Sequence, residues 1–168
     1  MGFVKRLVVA TAGSVILAAI LPSVAATAQT KGNCWEVKAD EKGFANATNR
    51  VRDKLGKGKL QLDPQLSRAA RLHTREMAKR DLLYHTPGDK LTRRVTNWNT
   101  LGENVGVGYS VESLQDAFLA SPGHRANILS SGFKYFGVGT VEQDGKMWVT
   151  VIFEGAANPG TPLKMPDC

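Results

Sequence analysis

Apolar side chains recur every three or four residues in three stretches of the chain, and this spacing predicts amphipathic helices. The predicted helices cover 44–55, about 64–83, and a stretch that starts at Val111. Asp63-Pro64 and Ser110 precede the second and third helices, and both are residue types that begin helices. His73 falls on the apolar face of the second helix, so we interpret it as a packed histidine and not as a ligand.

The pattern changes after residue 129. Residues 135–141 and 147–153 are typical of β-strands, and Asp144-Gly145 between them is typical of a hairpin turn. The second strand is apolar on both faces, which predicts a central strand covered by helices on each side. The stretch 90–100 is predicted to be a loop with a short helical turn.

The first 28 residues have the organisation of a secretory signal peptide. A basic start is followed by an apolar run over 7–21 and by the small-residue motif Ala26-Thr27-Ala28. The apolar run is interrupted and is shorter than the roughly 20 residues of a membrane span, which argues against an uncleaved anchor. Residues 29–168 are therefore predicted to form a single domain that is secreted or lies in the cell envelope, with no transmembrane span after cleavage.

The charge and cysteine content of the chain indicate which partners and which compartment to expect. The chain has 22 lysines and arginines against 15 acidic residues, a formal net charge of +7. No nucleic-acid-binding motif accompanies this charge, so nucleic acid is not expected as a partner. The charge favours contact with anionic envelope material, and plain solubility explains it equally well. Cys34 and Cys168 are an even pair in an exported chain, which predicts one disulfide.

Three segments carry the candidate chemistry. Ser121-Pro122-Gly123-His124 is predicted to begin a helix, with Ser121 as the N-cap and His124 in the first turn. Exposed N–H groups at a helix start lower the pKa of an imidazole, and neutral imidazole is the form that binds metal. Upstream, Glu103 lies between glycines in Leu101-Gly102-Glu103-Asn104, and Tyr84-His85-Thr86-Pro87 supplies a second histidine.

In this order, the three segments resemble the CAP superfamily (cysteine-rich secretory, antigen 5 and pathogenesis-related proteins) in its short bacterial SCP-like form. The resemblance covers roughly 44–154. It implies an α+β fold, a three-layer α-β-α sandwich with a central antiparallel sheet, and it implies that Asn49 on the first helix stabilises the core. It also implies a cleft shared by the two histidines and Glu103. Animal members carry a second glutamate where this chain has Ser121, so the His/Glu/Glu/His set of the family is incomplete here.

The combination favours a secreted, non-catalytic CAP domain, expected to be a monomer. Two histidines and one carboxylate suffice to bind zinc or another divalent cation. The expected metal ligands are His85, His124 and Glu103, with support in the cleft from Asn104, Ser121 and Asn127. A simpler interpretation is that Glu103 accepts backbone N–H groups and stabilises its loop.

Two other functions stay open at this point. One is a module that binds lipid or an anionic cell-envelope component without metal. The other is a metal-dependent hydrolase, which is less favoured because the sequence contains neither His-Glu-x-x-His nor Gly-x-Ser-x-Gly. No catalytic residue is therefore assigned from the sequence.

Overall fold

The computed structural model describes residues 36–155, which lie within a single compact unit. The predicted signal peptide and the predicted Cys34–Cys168 disulfide lie outside the described residues. Within the described residues, no helix is both long and apolar enough to cross a bilayer.

Helices and strands occur in an order that is typical of an α+β domain. The described chain forms α1 (Ala39–Lys54), β1 (Gln61–Leu62), α2 (Pro64–Arg80), α3 (Gly88–Arg94), β2 (Thr100–Gly108), α4 (Val111–Ala120), α5 (Pro122–Leu129), β3 (Tyr135–Gln143) and β4 (Lys146–Gly155). The helices that apolar spacing predicts are present. α1 begins before its predicted start because the Glu41 side chain accepts a hydrogen bond from the backbone N–H of Lys38 at the helix start. α2 ends before its predicted end because Asp81 adopts the left-handed conformation, with φ of 46°.

The four described strands form one sheet in the order β1-β3-β4-β2. β4 pairs antiparallel with β3, as the predicted hairpin requires, and it also pairs antiparallel with β2, so it is the buried central strand. The two-residue β1 adds a parallel pairing to β3, so the sheet is mixed at that edge. Asp144 and Gly145 both have positive φ, 52° and 70°, as the predicted tight hairpin requires.

Helices cover both faces of the sheet, which confirms the three-layer α-β-α sandwich. α1, α4 and α5 pack on one face through side chains that include Phe44, Phe118 and Ile128. α2 packs on the other face, with Leu66 and Ala70 against β4. Gly139 on β3 lies against the backbone of α2 at Ala70 and Arg71, where a β-carbon would overlap these atoms. The close approach of α2 to the sheet therefore depends on this glycine.

Two side chains of α1 stabilise the connections around it. Asn49 forms a reciprocal pair of hydrogen bonds with the backbone of Leu60, at 3.0 and 2.9 Å, in agreement with its expected structural role. Arg52 is buried and donates to the carbonyl oxygens of Gly58, Ile128 and Ser130. Burial lowers the pKa of Arg52. These bonds hold the C-terminal end of α5 against α1.

Candidate functional site

Strand β2 lies at an edge of the sheet and contacts both helical layers. Glu103 is opposite Ile152, which packs against α2, whereas Asn104 is opposite Val151, which packs under α1 and α4. Directly opposed residues of an antiparallel pair share a face of the sheet. Consecutive side chains of β2 therefore point to different layers, Glu103 to the α2 side and Asn104 to the α5 side. The sequence did not predict this strand, because Gly102, Gly106 and Gly108 weaken the β pattern.

The Glu103 carboxylate binds the segment between α2 and α3. It accepts hydrogen bonds from the Thr86 backbone N–H at 2.9 Å, from the Thr86 hydroxyl at 2.5 Å and from His85 Nδ1 at 2.8 Å. Its side chain is only 7% exposed. Glu103 therefore does accept a backbone N–H group, as the simpler interpretation has it, and it holds His85 as well.

The bond to Glu103 determines how the His85 ring presents itself. A carboxylate accepts but does not donate, so Nδ1 carries the ring proton. The side chain is 61% exposed, and Nε2 has no hydrogen-bond partner among the described residues. In the neutral ring Nε2 is then the nitrogen with the free lone pair. His85 thus presents a metal-competent or proton-accepting nitrogen to solvent.

His124 lies in the first turn of α5, as predicted, and its ring packs edge-on against Phe118 with 5.0 Å between ring centroids. Its pKa is lowered by burial first and by the nearby His85 second. The sequence attributed this lowering to the helix N-terminus, whereas the structure attributes it to desolvation and to a second imidazole. Ser121 is the N-cap residue of α5, but its side chain forms no capping hydrogen bond. The same residue also ends α4, where its N–H donates to the Ala117 carbonyl.

Two asparagines attach α5 to β2. Asn104 donates from Nδ2 to the His124 carbonyl at 3.1 Å. Asn127 donates to the Glu103 carbonyl at 3.1 Å and to Asn104 Oδ1 at 2.9 Å. The backbone that carries His124 is thereby bonded to the strand that carries Glu103. His85 and His124 reach this edge of the sheet from opposite layers.

Within residues 36–155, no group of three or more His, Cys, Asp or Glu side chains is arranged to hold a metal ion. Both oxygens of Glu103 accept hydrogen bonds from the segment that contains His85 and Thr86. The donor set that remains accessible consists of the two imidazoles. Glu103 lies on the Nδ1 side of the His85 ring, opposite the exposed Nε2.

Two contributors were not assigned to the site from the sequence. Thr86 supplies two of the three hydrogen bonds to Glu103, and nothing in the spacing of the motifs indicates it. His73 is fully buried, which agrees with its interpretation as a packed histidine. Its Nε2 lies 2.7 Å from the carbonyl oxygen of Tyr84, and its ring packs edge-on against the Tyr84 ring. His73 therefore holds the residue that precedes His85.

Comparison with known proteins shows which family this chain matches. The model of the cysteine-rich secretory protein family, CAP, matches residues 45–153. The uncharacterized protein YkwD of Bacillus subtilis (strain 168) is 35% identical over 119 residues, which is 67% of this chain and 46% of YkwD. This chain thus spans about half the length of that relative.

Solved structures show the same fold. An extracellular protein of Bacillus anthracis that contains an SCP domain matches with a TM-score of 0.61 and 28% identity, over 68% of this chain and 40% of that protein. An outer surface protein from Borrelia burgdorferi matches with a TM-score of 0.66 and 19% identity, over 73% of this chain and 96% of that protein. The family match covers most of the described residues, including the segments that carry both histidines and Glu103, and the chain belongs to the CAP, or cysteine-rich secretory protein, family.

Proposed function

We propose that this protein is an exported, non-catalytic CAP domain that binds a divalent cation, of which zinc is the first candidate, through His85 and His124. The observation that carries the proposal is the hydrogen bond from His85 Nδ1 to the buried Glu103 carboxylate. Histidines that bind metal in proteins commonly donate their second ring nitrogen to a carboxylate, which fixes the ring and raises its basicity. In this chain that arrangement leaves Nε2 of His85 exposed.

His124 meets the second requirement, which is a neutral ring. Protons compete with metal for imidazole, so a lowered pKa keeps more of the ring available near neutral pH. Burial and the neighbouring His85 both lower the pKa of His124. Because His85 is one of the two causes of this shift, it supports the assignment of both histidines to one site. The residues present fit a two-histidine site whose other positions are filled by water or by an external ligand.

The role of Glu103 in the proposal is to position His85 and not to bind the metal. Its carboxylate already accepts three hydrogen bonds and is nearly buried. A bound cation would supply a Lewis acid for an external ligand such as a carboxylate or phosphate.

The non-catalytic part of the proposal rests on the same carboxylate. A general base needs an oxygen within reach of the proton that it removes, whereas the Glu103 carboxylate is nearly buried and already accepts three hydrogen bonds. Ser121, at the position of the second family glutamate, cannot accept a proton near neutral pH. Glu112 and Asp116, the carboxylates of α4, are exposed on that helix. We therefore expect no hydrolysis of peptide or glycan substrates above background.

Export completes the proposal. Residues 1–28 have the signal-peptide pattern, and an even pair of cysteines suits an oxidising compartment. N-terminal sequencing of the exported protein is expected to begin near Gln29. Its intact mass is expected to be lower than that of the reduced form by the two thiol hydrogens, and two free thiols would contradict the predicted disulfide.

Calorimetric titration of purified protein with zinc tests the metal site. Wild type is expected to bind one equivalent, with affinity that falls as pH decreases through the histidine range. His85→Ala and His124→Ala should each weaken binding at least tenfold. Glu112→Gln, at an exposed position of α4, is the control for a substitution away from the site. Equal affinity in wild type and in both site variants would refute the proposal.

A further inference from the structure

The outward side of α2 carries a row of basic side chains. Arg68, Leu72, Arg75 and Lys79 lie on successive turns, and helix geometry places them within an arc of about 60° along about 16 Å. All four are exposed, and Leu72 is 40% exposed. We refer to these four residues as the α2 ridge.

The three cations of the ridge have no ion pair among the described residues. The charged residues beside the ridge are already paired. Arg71 binds Glu41 on one side, and Glu76 binds both Lys90 and Arg94 on the other. Glu76 is the only carboxylate of α2, and it is already paired with these two cations. It therefore does not neutralise the charge of the ridge.

Charge is distributed unequally between the two helical layers. α2 contains five basic residues and one acidic residue. In the layer on the opposite face of the sheet, α1, α4 and α5 together contain five basic and five acidic residues. The positive potential is therefore strongest over α2, and an anionic partner would meet this protein in one orientation.

We propose that the α2 ridge is a docking surface for a linear polyanion with closely spaced phosphate groups. At 1.5 Å per residue, Arg75 and Lys79 lie about 6 Å apart along the helix axis and Arg68 lies about 10 Å from Arg75, so the three cations can contact separate charges of one extended chain. Two of the three cations are arginines, whose planar guanidinium binds phosphate with two parallel hydrogen bonds.

The same geometry argues against a lipid bilayer as the occupant. Helices that lie in a membrane interface present several large apolar side chains toward the acyl region. The ridge has only Leu72 between its cations, because the apolar face of α2 is buried against the sheet. The ridge also lies on the α2 layer, whereas His124 lies in the opposite layer. Docking at the ridge therefore does not require His124.

Binding of purified protein to inorganic polyphosphate across a salt series tests the proposal. The test variant is Arg68→Gln/Arg75→Gln/Lys79→Gln. The matched control is Lys54→Gln/Lys57→Gln/Lys59→Gln, which removes the same charge from exposed positions at and after the end of α1. The ridge variant is expected to bind at least tenfold more weakly than wild type. Its slope of log affinity against log salt should fall by roughly two to three, at a little under one per lost phosphate contact.

The control variants distinguish binding at the ridge from binding governed by net charge or by a bilayer. Equal weakening by the two triple variants would mean that net charge, and not the ridge, governs binding, and would overturn the proposal. Stronger binding to vesicles of anionic phospholipid than to polyphosphate, with loss on Leu72→Gln, would identify a bilayer instead. Each single ridge variant is measured alongside, so that a folding defect in the triple variant is distinguished from lost contacts. If no single variant weakens binding, the ridge is not the surface.

Discussion

Glu154 is a buried carboxyl group whose protonation should control the stability of the domain. It lies near the end of β4 and is 1% exposed, and its Oε1 has no hydrogen-bond partner among the described residues. Burial, and secondarily the charge of Asp63, raises the pKa of Glu154 to about 7. Asp63 is itself buried, and burial also raises its pKa although the N–H groups of Leu66 and Gln65 oppose that change.

The sign of the effect on stability follows from the direction of the shift. A group whose pKa is higher in the folded state binds its proton more tightly there, so folding is favoured while the proton is present. The contribution of Glu154 is therefore fully present below its unfolded pKa of 4.5 and is lost as pH rises through about 7. At 1.36 kcal/mol per pKa unit, the difference corresponds to about 3 kcal/mol.

Urea unfolding at pH 5 and at pH 9 measures this contribution. Wild type should lose about 3 kcal/mol more free energy of unfolding between these pH values than Glu154→Gln, which keeps the shape of the protonated carboxyl. Glu112→Gln, at an exposed position of α4, is the matched control and should retain the wild-type pH dependence. Asp63→Asn keeps an N-cap for α2 and removes the neighbouring charge, so it should shift the loss of stability to lower pH.

Equal changes in unfolding free energy between pH 5 and pH 9 for Glu154→Gln and wild type would show that Glu154 does not control stability in this range. A lower stability of Glu154→Gln than of wild type at pH 5 would also contradict this role, because the protonated carboxyl and the amide should be nearly equivalent at that pH.

Three further substitutions test other parts of the structure. Gly139→Ala should destabilise the domain by about 1–3 kcal/mol in urea unfolding, because the added methyl group overlaps the α2 backbone, whereas Gly58→Ala, where an added β-carbon would have nothing within 4 Å, should not. Asn104→Ala should cost about 1–3 kcal/mol in the same measurement, because the His124 carbonyl and the Asn127 amide lose their partner. His73→Ala should destabilise by about 2 kcal/mol or more and should increase hydrogen exchange at residues 84–86, since it removes the bond to the Tyr84 carbonyl.

Much of the fold follows from patterns that are local in the sequence. Apolar spacing predicts the long helices, and Asp144-Gly145 predicts the hairpin, because each depends on neighbouring residues alone. Strand β2 is not predicted from the sequence because its glycines lack the side chains that are typical of a strand. The same glycines let α4 and α5 approach the strand closely. Gly102, for example, leaves room for Phe133 and Asn127, and neither residue is near it in sequence.

In the candidate site, too, local motifs are predictable from the sequence and long-range contacts are not. The sequence points to His85, Glu103 and His124 through family motifs. It does not show the roles that these residues acquire from contacts with segments far away in the sequence. Glu103 is bonded to Thr86, 17 residues away, and on this contact rests the positioning role that we propose for Glu103. The low pKa of His124 was expected from the helix start, yet its causes are burial and His85. Both depend on which segments the fold brings together.

The central claim is that Glu103 orients His85 so that its Nε2 can bind a divalent cation. The most direct test combines ¹⁵N NMR of the His85 ring in metal-free protein with zinc affinity, each in wild type, Glu103→Gln and the control Glu112→Gln. We expect the Nδ1–H tautomer of His85 in wild type and in the control, and a loss of about 10–100-fold in zinc affinity for Glu103→Gln alone. A proton on Nε2 in the neutral wild-type ring, or unchanged zinc affinity in Glu103→Gln, would contradict the account.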